Sequence, residues 1–346
     1  MDVNFSGLAL YGVSLLTIGG VYAVISLGLN VQWGFTGLFN AGIAGFFAVG
    51  AYTSAILTTP AHYDYLGGFD LPVPVGLAAA MVAAGLLAIP IGWLTVTLRS
   101  DYLAIATIGI AEILRLIVKN EDWLTNGPRG IPRIPKPFED SLWPFESIPS
   151  PFGPGPPSQL ESQFAFLLMV AAIVLVIYIA VERGLNSPWG RVMRAIRENE
   201  DSARAAGKNI LRFRLEAFVL GSMLMGLGGA LMAHSIKFMG PEATEPLYVT
   251  FLVWVMLIAG GSGNNRGAIL GPVLIWAIWS MTELVTSQLP GDWVYRSAYL
   301  RVFLIGLVLQ IILQRFSDGI LPEKPPKPIP LEDEEGERPP AGGAAE

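Results

Sequence analysis

Between positions 3 and 61 the chain has no Asp, Glu, Lys, Arg or His. A helix crosses the hydrocarbon core of a bilayer with about 20 apolar residues, so this run holds two crossings and something between them. Further charge-free runs occupy 71–98, 164–181, 217–233, 247–265 and 267–282. Only 14% of the 346 residues are charged, where soluble domains carry about a quarter. Lipid offers no partner for backbone N–H and C=O groups, so such segments must be helices. The expected fold is an all-α membrane protein of about nine transmembrane helices, near 8–29, 42–59, 73–98, 102–119, 163–181, 214–235, 247–262, 267–287 and 298–315. The first run lacks the basic n-region of a secretory signal and exceeds its apolar length, so it reads as a retained membrane segment.

Basic residues in short loops set the orientation. Eight of them (Arg183, Arg191, Arg194, Arg197, Arg204, Lys208, Arg212, Arg214) lie within the loop 183–213 and at its edge, against three acids, Glu198, Glu200 and Asp201. That loop is expected in the cytoplasm. Alternation then places the N-terminus and the proline-rich loop 120–162 outside, and the C-terminus in the cytoplasm. The membrane domain is assigned to 1–316. From 317 to 346, eight acids face three bases among prolines, a composition expected to be disordered.

The connection 30–42 is uncharged and carries Gly34, Gly37 and Gly42. It can therefore remain at membrane depth as irregular backbone, which is tolerated only when buried in protein or lining a water-filled cavity. Asn30, Gln32, Thr36 and Asn40 supply polar groups, and Trp33 and Phe39 aromatic walls. Two readings stand: a broken-helix element of a translocation pathway, or a tight connection whose amides cap two helices. Glu112 falls near mid-membrane within 102–119, one turn from Arg115. It is either part of the pathway or half of a structural ion pair.

There is no cysteine, so disulfides and thiol catalysis are excluded, and only two histidines, His62 and His234, far apart in sequence. No catalytic or metal site is expected. No Gly-x4-Gly-Lys-Ser/Thr phosphate loop occurs, so the chain is not expected to hydrolyse ATP by that route.

Pro188 can open a helix and Gly207 can end one. Between them Val192, Ala195, Ile196, Asn199 and Ala203 recur at helical spacing with arginines interleaved. By composition this amphipathic helix could lie on anionic lipid or dock in a groove on a soluble partner. Its core, Trp189-Gly-Arg-Val-Met-Arg-Ala-Ile-Arg-Glu-Asn-Glu200, closely resembles the M-type (LivM-like) permeases of the branched-chain amino-acid and urea importer family. Asp201-Ser-Ala203 followed by Gly207 is similar to the Glu-Ala-Ala-x3-Gly signature of the coupling loop in ABC importers, with two substitutions. Leu98-Arg-Ser-Asp-Tyr-Leu-Ala-Ile-Ala-Thr-Ile-Gly-Ile-Ala-Glu-Ile-Leu-Arg115, Leu124-Thr-Asn-Gly-Pro-Arg-Gly-Ile-Pro132 and Gly260-Gly-Ser-Gly-Asn-Asn-Arg-Gly-Ala-Ile-Leu-Gly271 agree with the same family. A Gly-His pair often found there near 41–45 is missing.

The resemblance implies a type II-like permease that moves a small polar solute, a branched-chain or other amino acid, from a periplasmic binding protein into the cytoplasm. It implies a second, H-type permease and two ATP-binding subunits that hold ATP and Mg, with no cofactor on this chain and no nucleic acid. Trp189, Arg191, Arg194, Arg197, Asn199, Ala203 and Gly207 would couple to the ATPases. Urea or a short amide is the alternative cargo. An ion-coupled secondary transporter, with Glu112 as its acid, and a scaffold without a pathway are the rival classes.

Overall fold

The computed structural model describes residues 5–61, 65–139, 158–286 and 292–323. Its helices are α1 (Phe5–Leu29), α2 (Ile43–Thr58), α3 (Val73–Thr95), α4 (Ser100–Asn120), α5 (Asp122–Thr125), α6 (Gln159–Asn186), α7 (Pro188–Glu198), α8 (Glu200–Ala205), α9 (Ile210–Ile236), α10 (Pro246–Gly260), α11 (Asn265–Thr286) and α12 (Asp292–Arg315). Every expected span falls on one of these helices. Four, Gly7–Gly34, Val73–Thr95, Gln159–Asn186 and Ile210–Ile236, are long and apolar enough to cross a membrane by length and composition. Ile43–Thr58, Val249–Gly260 and Val302–Arg315 are shorter apolar helices. The only sheet among the described residues is a ladder of β1 (Ile131–Pro132) and β2 (Phe238–Met239), antiparallel with Ile131 opposite Met239.

The bundle is organised around α9, which packs on α1, α2 and α3. Small residues set that geometry, because without a hydrophobic drive between helices in lipid, association depends on close van der Waals approach. A methyl added at Gly50 of α2 would strike the Gly226 backbone of α9, and one at Gly229 would strike the Phe47 carbonyl. The cluster Gly226, Gly228, Gly229 and Ala230 is thus packing within the subunit. By contrast, Leu86, Trp93 and Leu94 of α3 and Leu168, Leu175 and Val176 of α6 are exposed, an apolar surface suited to lipid.

The connections separate into two groups. One holds the β1–β2 ladder, the bond from the Leu66 N–H to the Trp123 carbonyl (2.6 Å), and His234. The sequence position of His234 suggests a side chain reaching the headgroups; instead it is fully buried. Its Nδ1 meets the Pro135 carbonyl at 2.7 Å and its Nε2 the Ser54 hydroxyl at 2.8 Å. One ring thereby fastens the segment after β1 to α2 and α9. Lys237, in the left-handed region at the end of α9, pairs with Glu139. The other group comprises the connection 30–42, α7–α8, the turn between α10 and α11, and the residues after α12. Residues 317–323, counted with the tail above, pack there. Residues 324–346 and most prolines of the loop 120–162 lie outside the described residues.

Candidate translocation and coupling site

α1 does not stop at Leu29. It widens into a π-helical turn, Asn30–Gly34, in which the Phe35 N–H donates to the Asn30 carbonyl at 3.1 Å. Wide turns of this kind gather at functional sites. The chain then runs irregularly to Gly42, where α2 begins, backed by α4 and α10. The Thr107 hydroxyl accepts from the Ala41 N–H (3.0 Å), and the Trp254 indole N–H donates to the Asn40 carbonyl (3.2 Å).

Asn30, Gln32, Thr36 and Asn40 are brought together here, all fully or almost fully buried. The Gln32 amide donates to the Phe218 carbonyl (2.7 Å) and the Ser222 hydroxyl (3.2 Å) of α9, and its Oε1 accepts from the Asn40 amide (2.8 Å). Asn40 Oδ1 accepts from the Gly42 N–H at 2.8 Å. Asn30 donates to Asn265 Oδ1 (3.1 Å) and accepts from the Gly263 N–H (2.9 Å). Thr36 donates to the Gln32 carbonyl. An unpaired buried amide is costly, and these are paired with protein. In this conformation they stitch the irregular segment to α9, α11 and the turn before it, and they face no open channel.

The aromatic residues differ. Trp33 meets Trp254 edge-on at 4.7 Å, Phe39 lies 4.4 Å from the same ring, and Phe39 is 37% exposed. Trp33 also lines a cavity of about 380 Å³ with Ile258, Ser262, Asp318, Pro322 and Glu323. Glu112 is not brought to this network. It sits on the peripheral helix α4, 43% exposed at its side chain, 3.3 Å from Arg115.

The basic loop forms two helices where one is expected across 189–207. Asn199 leaves helical geometry (φ −154°) and caps α8 by accepting from the Ser202 N–H at 2.9 Å. Its role is that of a cap, not a position on a continuous apolar face. The buried face of α7 is Gly190, Met193 and Ile196, whereas Ala195 is exposed. Ala203 is buried, Trp189, Arg194 and Arg197 are half-buried, and Arg191 and Gly207 are exposed. Gly207 takes a left-handed φ of +73° after α8.

Sequence reasoning missed the partners. The Trp189 indole donates to Glu216 Oε2 (2.8 Å), which ties α7 to α9, while Arg212 holds the other oxygen. Glu200 bridges Arg214 (2.9 Å) and Arg204 (2.7 Å). The i, i+4 pairs Arg212–Glu216 and Glu200–Arg204 were visible as spacing; the long-range contacts were not.

The class of protein is an all-helical membrane bundle with a broken helix and a basic two-helix arm meeting at the same end. The model of the family described as "Branched-chain amino acid transport system / permease component" matches residues 11–313, and the chain belongs to that family. It is 32% identical to the high-affinity branched-chain amino acid transport system permease protein LivM of Escherichia coli (strain K12), over 91% of this chain and 71% of that protein. It is 23% identical to LivH, named in the same way, of Salmonella typhimurium, over 84% and 91%. The autoinducer 2 import system permease protein LsrC of Yersinia pseudotuberculosis is 26% identical over 71% and 64%. No solved structure matches.

Proposed function

We propose that this multi-pass inner-membrane permease is the M-type half of an ABC importer that carries branched-chain amino acids into the cytoplasm. LivM and LivH are both named as permeases for such solutes, and the chain is similar to each. An H-type permease, a periplasmic binding protein and two ATP-binding subunits complete the assembly, and those subunits hold ATP and Mg. The chain crosses the membrane nine times, from a periplasmic N-terminus to a cytoplasmic C-terminus. Supporting this, the basic arm and the residues after α12 share one end, opposite the β1–β2 ladder.

The observation that carries the reading is the arm α7–α8. It leaves the bundle between two membrane helices and turns Met193, Ile196 and Ala203 inward. It presents Arg191, Asp201, Arg204, Gly207 and Lys208 outward. Such a face, set on a short two-helix arm that stands out from the bundle between α6 and α9, suits docking in a groove on a soluble ATPase. The segment 30–42 is the gate. Its amides have protein partners now, and exchanging those partners for a zwitterion or water opens the pathway beside Trp33, Phe39 and Trp254. No fixed charge lies in that segment to trap a zwitterion.

The test is reconstitution with the H-type permease, both ATP-binding subunits and the binding protein in vesicles. ATP-dependent uptake of leucine, isoleucine or valine is expected. Uptake of urea or short amides instead would change the cargo. Flux driven by an ion gradient without the ATPases would replace the mechanism, with Glu112 as the acid to examine.

A further inference from the structure

Seven residues after α12, described above as packing on the bundle, form a strap with a defined path. The Ile320 N–H donates to the Ala259 carbonyl (3.0 Å) and the Leu321 N–H to the Gly260 carbonyl (2.9 Å) at the end of α10. The Asn264 amide holds the carbonyls of Leu321 (3.2 Å) and Pro322 (3.1 Å). Gly261, at φ +110°, has the strap directly against it, and an added Cβ there would strike the Leu321 carbonyl. Only glycine combines that backbone angle with so close an approach.

The strap delivers one carboxylate. Glu323 Oε2 lies 2.9 Å from Arg197 Nη1 of α7, and Oε1 lies 4.0 Å from Arg194 Nε. The same Arg197 Nη1 donates to the Gly34 carbonyl, the last residue of the π-helical turn, and the Arg197 stem passes Gly37. One guanidinium therefore touches the arm, the strap and the start of the irregular segment. A planar fork with several fixed donors is suited to holding two acceptors at once. Arg194 and Arg197 consequently face inward and are directed at this junction, away from the outer face of the arm.

We infer that Arg197 and Glu323 form the joint that hands displacement of the arm α7–α8 to the segment 30–42, with the strap as its anchor on the α10–α11 turn. Arg197 is a positioning residue: it acts through the Gly34 carbonyl and touches no solute. Glu323 fixes the fork so that a push on α7 turns the end of the π-helical turn instead of rotating the arginine. This rests on the reading of the arm as the part driven by ATPases.

The experiment uses the full reconstituted complex and reads solute taken up per ATP hydrolysed. Glu323→Gln is expected to lower that ratio about fivefold, the scale of a partly exposed ion pair, while hydrolysis and the amount of assembled complex are retained. Glu323→Asp should recover part of it. Deleting 324–346 should leave the ratio unchanged, and deleting 317–346 should reproduce Glu323→Gln. An unchanged ratio in Glu323→Gln overturns the joint, as does a loss confined to complex yield. An equal loss from the shorter deletion also overturns it, by assigning the effect to residues beyond the strap. Gly207→Leu separates the two levels. If it uncouples while Glu323→Gln does not, only the joint fails; if neither does, the reading of the arm fails as well.

Discussion

The bond between Gln32 and Asn40 can be weighed by a double-mutant cycle. Gln32→Leu removes the bonds to Phe218, Ser222 and Asn40. The Phe218 carbonyl keeps its helical N–H partner, and the Ser222 hydroxyl can rotate toward the backbone. The group left stranded is the Asn40 amide, which is fully buried. With the two α9 groups satisfied again, the uncompensated losses are the Gln32–Asn40 bond, about 1 kcal/mol, and the orphaned Asn40 donor, about 1–3 kcal/mol, so the variant should lose about 2–4 kcal/mol in all. Asn40→Leu strands Gln32 Oε1 and the Gly42 N–H and should lose a similar amount. The double variant contains neither half of the shared bond. The sum of the single losses counts the shared bond twice and includes two orphans the double variant lacks, so the double loss should fall short of that sum by about 3 kcal/mol. Equilibrium unfolding in mixed micelles measures all four corners. Losses that add to within about 0.5 kcal/mol would refute the network as the reason the irregular segment is held shut.

Three further outcomes are expected. Gly226→Leu should disrupt the α3–α9 contact and abolish monodisperse protein on size exclusion, because the added side chain meets Ala84 and the Ala80 carbonyl of α3; a normal profile would contradict the packing described. Ser54→Ala leaves His234 Nε2 unpartnered and should cost about 1–3 kcal/mol, read as a fall of the thermal midpoint, while an unchanged midpoint would remove the histidine clasp. Single cysteines in this cysteine-free chain at Phe39, Gln32 and Asn40 should divide under a water-soluble thiol reagent. Position 39 is expected to react in the resting complex, and 32 and 40 only when nucleotide state changes; equal protection of all three in every state would take this segment out of the pathway.

The helices were legible because lipid leaves a chain little choice: charge-free length dictates a helix, and every expected span coincides with one. The uncharged, glycine-bearing stretch was legible as irregular backbone for the same reason. Its partners were not. Ser222, Asn265 and Trp254 contact it across some 190 to 235 positions of sequence, and no local pattern encodes such a meeting. The arm was recognised by its basic residues and by family resemblance, yet Asn199 was read by helical spacing when its short amide, a strong N-cap, was already a signal to break the helix. Glu323 falls by composition within 317–346, whose acids and prolines point to disorder. The apolar Ile320 and Leu321 just before it, behind Gly319, were the clue that the first seven residues have somewhere to pack.

The π-helical turn Asn30–Gly34 also gives the gate a unit of motion. If the Phe35 N–H passed from the Asn30 carbonyl to that of Val31, the turn would tighten to α geometry. Everything after it would then rotate by about 100° and shift by about 1.5 Å along the axis, the increment of one helical residue. A change of that kind is a ratchet step, with its size fixed by backbone geometry and not by the looseness of a loop. Trp33 rides on the turning part, and its edge-on contact with Trp254 at 4.7 Å could not survive the rotation. The indole pair is therefore a natural optical reporter of the step, and a tryptophan signal that stays constant through the transport cycle would show that the turn does not ratchet.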